Sequence, residues 1–446
     1  MQPSTASAPA PPEPSGHERE RPVILLADNR PTAFIDYALA REDVDVVLLR
    51  FDDRFTETTP HWPSWGRLPQ WYLERTADMP SFTLHADRPL HQEAARYREW
   101  NSTLPAPPRY FCNPEEHLQE IAHRFAGLVG LPHLSEQQVR WVRNKADMKT
   151  RFRELGIACA RFRRVLTAQE IGRFAAEHGW PVVLKPVDSF AAVDTYRIDG
   201  PPDLDALTPL PPGRDWMVEE FLTGKEYQLC ALVTRGRVLD AYISWTPHAM
   251  LETVAGTMNA DVTLGPGHGF PMDVRAVVQR LVDGMGIGHG YLHMEFFHSE
   301  DGAFHMSEVS VRLAGCGIPT NHGLAYGFDI FGATLDVYLD RVPALDYTRR
   351  RCVGDLLLPT RPGRVVHVTP LDRLLTLPGV LSGKLHVGVG DLLAPQRASN
   401  AQSGFLHVEG ASVAEVERRM QTALACFELV TVADGQADAR SAPKAA

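Results

Sequence analysis

The sequence predicts a multidomain protein of mixed α/β and α+β class. Residues 22–51 contain a buried strand, a helix and a second buried strand in succession, which is how a parallel sheet begins. Residues 293–310 have the alternation of a half-buried β-hairpin around an Asp-Gly pair. Because the chain has 446 residues, two or three domains are expected instead of one core.

Composition argues against several classes of protein. Apolar residues make up 44% of the chain and charged residues 22%, which is ordinary for a globular protein in water. The net charge of −10 argues against nucleic acid and anionic membranes as partners. No stretch approaches the roughly 20 apolar residues of a membrane helix. Six cysteines without a CxxC pair favour reduced thiols and a cytoplasmic location.

The chain divides into three predicted units between two tails. The Pro-rich start lacks the apolar region of a signal peptide, and residues 1–21 and 433–446 are predicted to be disordered. The predicted units are an N-terminal α/β domain at 22–134, a central domain at 135–345 with a lobe at about 150–220, and a C-terminal β-rich module at 346–432.

Capping signals open the central domain. Ser135 with Gln138 forms a capping box for a helix that is predicted to continue through Lys145. The next predicted helix, at residues 146–156, stops at Gly156.

Lysines and glutamates in the central domain suit a nucleotide. Lys185 lies in the strand "VVLKP", where its ammonium must reach an anion or solvent. In "MVEEFLTGKEY" a strand runs into Glu219 and Glu220, then a Gly turn and Glu226. Such a hinge offers backbone groups to an adenine edge, and its carboxylates suit the adenine amine and ribose hydroxyls. The alternative is that these residues, and Lys145, are solvated ends of their elements.

The hairpin brings two acids together. With Asp301-Gly302 as a two-residue turn, the numbers of paired residues sum to 603, so Glu295 faces Glu308. The same register pairs His298 with His305 and Glu300 with Ala303.

Two opposed carboxylates need a partner. Their charges, about 5 Å apart, repel by roughly 3 kcal/mol at an effective dielectric constant of about 20. A bound Mg²⁺ or Mn²⁺ reverses the sign of this interaction. Alternation puts Ser310 and Arg312 on the same face, where a guanidinium suits a phosphoryl or acyl-phosphate oxygen. Two alternatives remain: a solvent-facing polar surface, or one carboxyl with a raised pKa that acts as an acid.

Taken in order along the chain, these motifs resemble the ATP-grasp superfamily over about residues 135–338. "EVSVRLAGCGIP" and the C-terminal module are most similar to its L-amino-acid ligase branch. The resemblance implies an ATP-grasp fold, in which an N-terminal pre-ATP-grasp domain precedes two lobes that clamp ATP.

The resemblance also implies roles for individual residues. ATP would be bound by Lys145, Lys185, Glu219, Glu220, Phe221, Leu222 and Glu226. Glu295 and Glu308 would ligate Mg²⁺ or Mn²⁺, and Arg312 would stabilise an acyl phosphate and the tetrahedral intermediate. The candidates for substrate contact are Ser310, Cys316, Asp261 and His268. Cys316 could equally be a buried small residue, and a loop histidine such as His268 could be solvated.

The implied reaction joins a small-molecule carboxylate to an amine at the expense of ATP, in the biosynthesis of small molecules. A carboxylase resembling biotin carboxylase and a non-catalytic nucleotide-binding regulator are the alternatives. A homodimer is an open alternative to a monomer.

Two departures from the family pattern stand out. Ser310 occupies a position where many members have Asn. Within residues 185–198, the positions where relatives have glycines or a small hydroxyl residue in the phosphate-covering loop are occupied by Ser189, Ala191, Ala192 and Asp194. Asp194 is expected to repel a triphosphate.

Overall fold

The computed structural model describes residues 21–52, 55, 68–249, 252–253, 257–265, 267–395 and 401–433. The two predicted tails lie outside these residues, except for their innermost positions. Within the described part of the chain, no helix has the length and apolar character needed to cross a bilayer.

The N-terminal domain contains a parallel sheet in the order β3-β2-β1-β4. Its strands are β1 (Val23–Asp28), β2 (Asp45–Phe51), β3 (Ser81–Leu84) and β4 (Tyr110–Cys112). Its helices are α1 (Ala33–Leu39), α2 (Gln70–Arg75), α3 (Leu90–Asn101) and α4 (Gln119–Leu128). All residues of β1 are buried, which explains its unbroken apolar run and confirms the predicted strand–helix–strand start.

The two faces of β1 belong to different cores. Leu25 packs with α3 and α4 inside the N-terminal domain. Leu26 shares a core with Cys230 and Tyr242, which come from the central sheet. This second core places the loop after β4 against the central domain.

Two helices lead into the lobe: α5 (Glu136–Arg143) and α6 (Lys145–Glu154). The capping box of Ser135 and Gln138 is present, as predicted. Lys145 begins α6, however, and does not end the preceding helix as predicted. The reason is Asn144, which leaves helical geometry and whose side chain caps α6 by accepting a hydrogen bond from the Asp147 N–H.

The lobe has its own antiparallel sheet in the order β5-β8-β6-β7. Its elements are β5 (Phe162–Val165), α7 (Ala168–His178), β6 (Val182–Pro186), β7 (Tyr196–Ile198), α8 (Pro201–Ala206) and β8 (Trp216–Glu220). One core, which includes Phe174 and Leu184, lies between this sheet and α7.

An eight-stranded sheet runs through the rest of the molecule in the order β13-β12-β9-β10-β11-β14-β18-β16. Its strands are β9 (Lys225–Thr234), β10 (Arg237–Trp245), β11 (Ala260–Thr263), β12 (Gly290–His298), β13 (Phe304–Ser310), β14 (Cys352–Leu358), β16 (Val380–Leu385) and β18 (Gly404–Gly410). The C-terminal module therefore continues the central sheet through β14, β18 and β16.

The remaining elements cover this sheet or follow it. Three strands, β15 (Gly363–Val368), β17 (Leu392–Leu393) and β19 (Leu429–Val432), form a small sheet. The helices are α9 (Val274–Met285), α10 (Ile318–Tyr326), α11 (Ile330–Tyr338), α12 (Leu371–Leu375) and α13 (Val413–Cys426). Helix α9 packs on one face of the sheet, whereas α10 and α11 pack on the other.

The hairpin of β12 and β13 pairs Glu295 with Glu308, as predicted, but through a different turn. The Ser299 N–H donates to the Ala303 carbonyl at 2.9 Å, and Gly302 has a φ of 82°. The loop therefore has three residues instead of two, because the left-handed glycine comes third.

A bulge then corrects the register. His298 pairs with Phe304, a sum of 602, and the predicted pairs His298–His305 and Glu300–Ala303 are wrong. Ser307 is an extra residue in β13, and beyond it the sum returns to 603. The longer loop and the bulge cancel, so the two glutamates face each other.

Candidate active site

The paired glutamates lie on a polar row across three strands. Glu308 faces Glu295, which in turn faces Gln228 on β9. The Lys145 Nζ lies 3.3 Å from one Glu308 oxygen, and the Lys185 Nζ lies 3.5 Å from the other. The structure thus brings together both predicted lysines and both predicted metal ligands, and neither lysine is solvated, with 4% and 6% exposure.

The two carboxyls differ in protonation. Burial and the nearby Glu308 and Glu226 raise the pKa of Glu295 to about 8. Burial also disfavours the charge of Glu308, but the ammonium groups of Lys145 and Lys185 outweigh it and lower the pKa of that carboxyl. Nearby positive charge therefore does not compensate a negative charge on Glu295 as it does on Glu308. A hard divalent ion bound between the two carboxylates would supply that charge. The donor set fits Mg²⁺ or Mn²⁺.

Glu219 lies between two ammonium groups. Its oxygens are 2.7 Å from the Lys185 Nζ and 3.2 Å from the Lys149 Nζ, and all three side chains are buried. Burial alone would raise the pKa of Glu219, but the two lysines lower it to about 2. Lys149 was not predicted, although it lies four residues after Lys145 and hence on the same face of α6.

At the end of β8 and in the hinge that follows, the side chains of Glu220 and Phe221 contact arginines of the lobe. Glu220 lies on the other face of β8 from Glu219 and receives hydrogen bonds from the Arg161 backbone N–H and from its guanidinium, at 2.8 and 2.6 Å. The Arg197 guanidinium lies 4.4 Å from the ring centroid of Phe221. The Glu220 backbone N–H donates to the Arg161 carbonyl at 3.0 Å, so this donor is used within the lobe and is not available to an adenine edge.

Arg312 is held by an acid from the N-terminal domain. The Arg312 Nε and the Ser310 hydroxyl each donate to one oxygen of Glu116 at 2.6 Å, and Arg143 pairs with the other oxygen. Burial opposes the charge on Glu116, but the two guanidinium groups hold the pKa of that carboxyl well below its usual range. Ser310 therefore supports Arg312 through Glu116. Neither Glu116 nor Arg143 was predicted from the sequence.

A second unpredicted pair lies beside the acids. The ring of His293 contacts Gln228 at 2.5 Å between Nε2 and Oε1, and both side chains are buried. Burial lowers the pKa of His293 well below its usual range, so the imidazole is neutral. The available signal was alternation, since His293 precedes Glu295 by two residues.

The loop within residues 185–198, which the resemblance predicts to cover phosphate, adopts left-handed backbone without glycine. Ala191, Ala192 and Asp194 have φ values of 51°, 55° and 53°. The expected repulsion by Asp194 is reduced, because its carboxylate pairs with the Arg214 guanidinium. Arg143 donates to the Asp188 carbonyl at 2.9 Å and so connects this loop to the Glu116 network.

The strain in this loop gives a prediction. Ala192→Gly is expected to leave the free energy of unfolding unchanged or to raise it by about 0.5 kcal/mol, since left-handed backbone costs a non-glycine residue roughly 1 kcal/mol. Ala176→Gly, at an exposed position within α7, is the control and should lower it by about 1 kcal/mol. Urea unfolding measures both. Equal losses for the two variants would contradict the strained geometry.

The buried group of Glu219, Lys149 and Lys185 gives a second prediction about stability. Lys149→Met is expected to destabilise the protein by about 3 kcal/mol, because it removes one partner of a buried ion pair. Adding Glu219→Gln to Lys149→Met should cost less than Glu219→Gln alone, by at least about 1 kcal/mol. Lys384→Met, at an exposed position, is the control. Additive effects in urea unfolding would show that the two residues are not coupled.

The four candidates for substrate contact do not form one cluster. Ser310 belongs to the Glu116 network, and Cys316 is exposed at a φ of 53° in the loop after Arg312. Asp261 is buried on β11, farther across the same sheet. His268 is exposed and lines a separate cavity of about 260 Å³ beside α9. The structure thus does not bring His268 to the paired glutamates.

Comparison with known proteins identifies similar chains. Residues 355–432 match the family model described as L-amino acid ligase C-terminal domain 2. The chain is 24% identical over 269 residues to the L-arginine-specific L-amino acid ligase of Bacillus subtilis. That alignment covers 58% of this chain and 65% of the relative, which is less than two thirds of its length.

Solved structures are similar over nearly the whole chain. The crystal structure of L-amino acid ligase from Bacillus licheniformis matches with a TM-score of 0.68 and 16% identity, over 93% of this chain and 100% of that chain. N5-carboxyaminoimidazole synthase from Aspergillus clavatus, solved in complex with ADP, matches with a TM-score of 0.65 and 17% identity, over 91% and 98% of the two chains. The predicted ATP-grasp fold and the resemblance to the L-amino-acid ligase branch are confirmed.

Proposed function

From the ATP-grasp fold of this chain and its similarity to L-amino acid ligases, we propose that it is an ATP-dependent carboxylate–amine ligase. One observation carries the proposal: Glu295 and Glu308 face each other, two buried lysines pair with Glu308, and the strand of Glu308 leads to Arg312. The lysines suit anionic phosphates, the glutamates suit a divalent ion, and the arginine suits an activated carboxylate. A ligase of this kind needs all three together.

The proposed nucleotide site spans both lobes. Lys145 and Lys185 would contact phosphates, the main chain of residues 220–222 would contact adenine, and Glu226 would contact the ribose. Glu219 would help to define the adenine pocket while it holds Lys185 in place. Glu295 and Glu308 would ligate Mg²⁺ or Mn²⁺, which neutralises phosphate charge when bound.

The proposed reaction has two steps. An oxygen of the donor carboxylate forms a bond to the γ-phosphorus of ATP, and the bond between that phosphorus and ADP breaks. The nitrogen of a neutral amine then forms a bond to the acyl carbon, the bond from carbon to phosphate breaks, and the nitrogen loses a proton. Arg312 would stabilise the negative oxygens in both steps, with its orientation fixed by Glu116.

The chain's partners in this proposal are small molecules. Amino acids are the favoured substrates because the similar proteins are named as amino acid ligases. The match of residues 355–432 to a ligase domain favours amide formation over carboxylation. The regulatory alternative loses support, because the covering loop adopts left-handed backbone without its glycines.

A substrate screen tests the proposal. The purified chain of 446 residues is incubated with ATP, Mg²⁺ and mixtures of amino acids, and ADP release is followed while mass spectrometry detects the product. Amino-acid-dependent ADP release with a new amide supports the ligase. Release that depends on bicarbonate alone would support a carboxylase, and nucleotide binding without any release would support the regulator. Light scattering on the same sample would distinguish a monomer from a homodimer.

A further inference from the structure

A second pair of acids faces each other elsewhere on the same sheet. Asp261 on β11 is paired directly with Asp355 on β14, and the side chains are buried, with 6% and 2% exposure. Directly paired residues have β-carbons about 4.5–5.5 Å apart, so the carboxyl groups lie side by side. Thr263 lies on the same face as Asp261, and its hydroxyl is 3.0 Å from the Ser244 hydroxyl. The Ser244 hydroxyl also contacts His322 of α10, so this is the face that α10 covers.

Only one of the two acids has partners of its own. Asp355 accepts hydrogen bonds from the Gly317 backbone N–H at 3.0 Å and from the Asn321 amide at 2.6 Å. His407 in turn contacts Asn321 at 2.8 Å. Among the described residues, neither oxygen of Asp261 has a hydrogen-bond partner.

No cation of the protein compensates the pair. Within the described part of the chain, neither Asp261 nor Asp355 forms an ion pair with lysine, arginine or histidine. Burial lowers the pKa of the nearby His407 to about 4, so its ring supplies no charge at neutral pH. Burial and the adjacent Asp355 raise the pKa of Asp261 well above its usual value, and the polar side chains of Ser244 and Asn321, which lie near Asp261 without hydrogen-bond geometry to it, offset this only in part.

Such a pair is costly for the fold alone. A buried carboxyl without a partner loses its hydration, and a like charge next to it adds repulsion. An apolar or amide side chain at Asp261 would avoid both costs. A ligand cation, in contrast, would meet two carboxylates, one of which is already oriented by Gly317 and Asn321.

We propose that Asp261 and Asp355 bind a cationic group at the far end of a substrate, namely the ammonium or guanidinium of a basic amino acid side chain. This inference rests on the proposed ligase function and names its substrate class. The loop from Arg312 to Gly317 connects the proposed active site to the acid pair, since the Gly317 N–H donates a hydrogen bond to Asp355. Cys316, in that loop, is exposed between them.

Position selects a side-chain cation over an α-ammonium group. Glu295 lies on β12, and β9 and β10 separate it from Asp261 on β11. Three strand spacings amount to about 14 Å. An α-ammonium group is attached next to the reacting carboxylate and cannot cover such a separation. The charged end of a lysine or arginine side chain extends several bonds farther and can approach the pair.

Matched substrates and variants test the inference. ADP release is measured with L-arginine against L-citrulline, and with L-lysine against L-2-aminoheptanoic acid, because each neutral partner has a closely similar shape. In Asp261→Asn and Asp355→Asn we expect kcat/KM for arginine and lysine to fall at least about tenfold, with less than about a twofold change for the neutral partners. Glu300→Gln, at the exposed hairpin tip, should change neither class.

Stability and direct binding complete the test. The melting temperature of unliganded Asp261→Asn should stay the same or rise, since no hydrogen bond of Asp261 is lost. Calorimetry with L-arginine and L-citrulline measures recognition without turnover. Equal binding of the two by the unmodified protein, or equal losses for both in Asp261→Asn, would overturn the inference. If arginine binds selectively but no amino acid releases ADP, the inference stands and the proposed ligase function fails.

Discussion

Glu308→Gln is expected to reduce substrate-dependent ADP release by about a thousandfold. The amide keeps the shape of the side chain but loses the charge that faces Glu295 and that pairs with Lys145 and Lys185. The two ammonium groups then face an uncharged group that donates as well as accepts. The cleft would hold a divalent ion more weakly and would position the phosphates less well.

The variant is compared with the unmodified protein in single-turnover assays across a range of Mg²⁺ concentrations. Glu300→Gln, on the same hairpin but exposed, is the matched control and should retain full activity. The melting temperature of each variant separates misfolding from lost chemistry. Turnover by Glu308→Gln with an unchanged Mg²⁺ dependence would contradict the assignment of the metal site.

Arg312→Lys is expected to lower kcat about a hundredfold while ADP binding stays the same. The guanidinium donates at once to Glu116 through Nε, at 2.6 Å, and to the Leu313 carbonyl through Nη1, at 2.7 Å. A lysine ammonium is a point charge on a flexible chain and cannot keep this planar arrangement. Loss of position, more than loss of charge, is therefore the expected cause.

Two further variants test whether the loss of kcat comes from the position of the Arg312 guanidinium. Arg341→Lys changes a half-buried arginine that pairs with Asp43 and should leave kcat unchanged. Glu116→Gln should lower kcat by about tenfold, because it weakens the support of Arg312 without removing the guanidinium. An Arg312→Lys protein that keeps half of its turnover would show that this guanidinium does not act on the reacting groups.

Alternation along the strands predicted much of the site. The positions of Glu295 and Glu308 follow from period-two patterning. The apolar strand around Lys185 left open whether its ammonium reaches an anion or solvent, and the structure shows the anion, Glu219. The turn did not follow, because an Asp-Gly pair suits both two-residue and three-residue loops. The bulge at Ser307 was also not predictable, since nothing local marks an extra residue. The correct pairing resulted from two errors that cancel.

Long-range contacts account for the rest. Glu116 precedes Arg312 by 196 positions and lies in another domain, so no periodicity connects them. They meet because the shared core around Leu26 and Cys230 fixes the N-terminal sheet against the central one. The pairing of Asp261 with Asp355 similarly depends on a sheet that crosses the predicted domain boundary. Lys149, by contrast, had a local signal in its spacing from Lys145.

The continuous eight-stranded sheet limits which parts can move. Since β14 forms hydrogen bonds with β11 along its length, the C-terminal module cannot swing away as a hinged body without breaking that ladder. The lobe, in contrast, has a separate sheet and a separate core. Opening and closing would therefore fall to the lobe alone, above a rigid platform, and cutting the chain near residue 350 would leave the edge of β11 bare and prone to self-association.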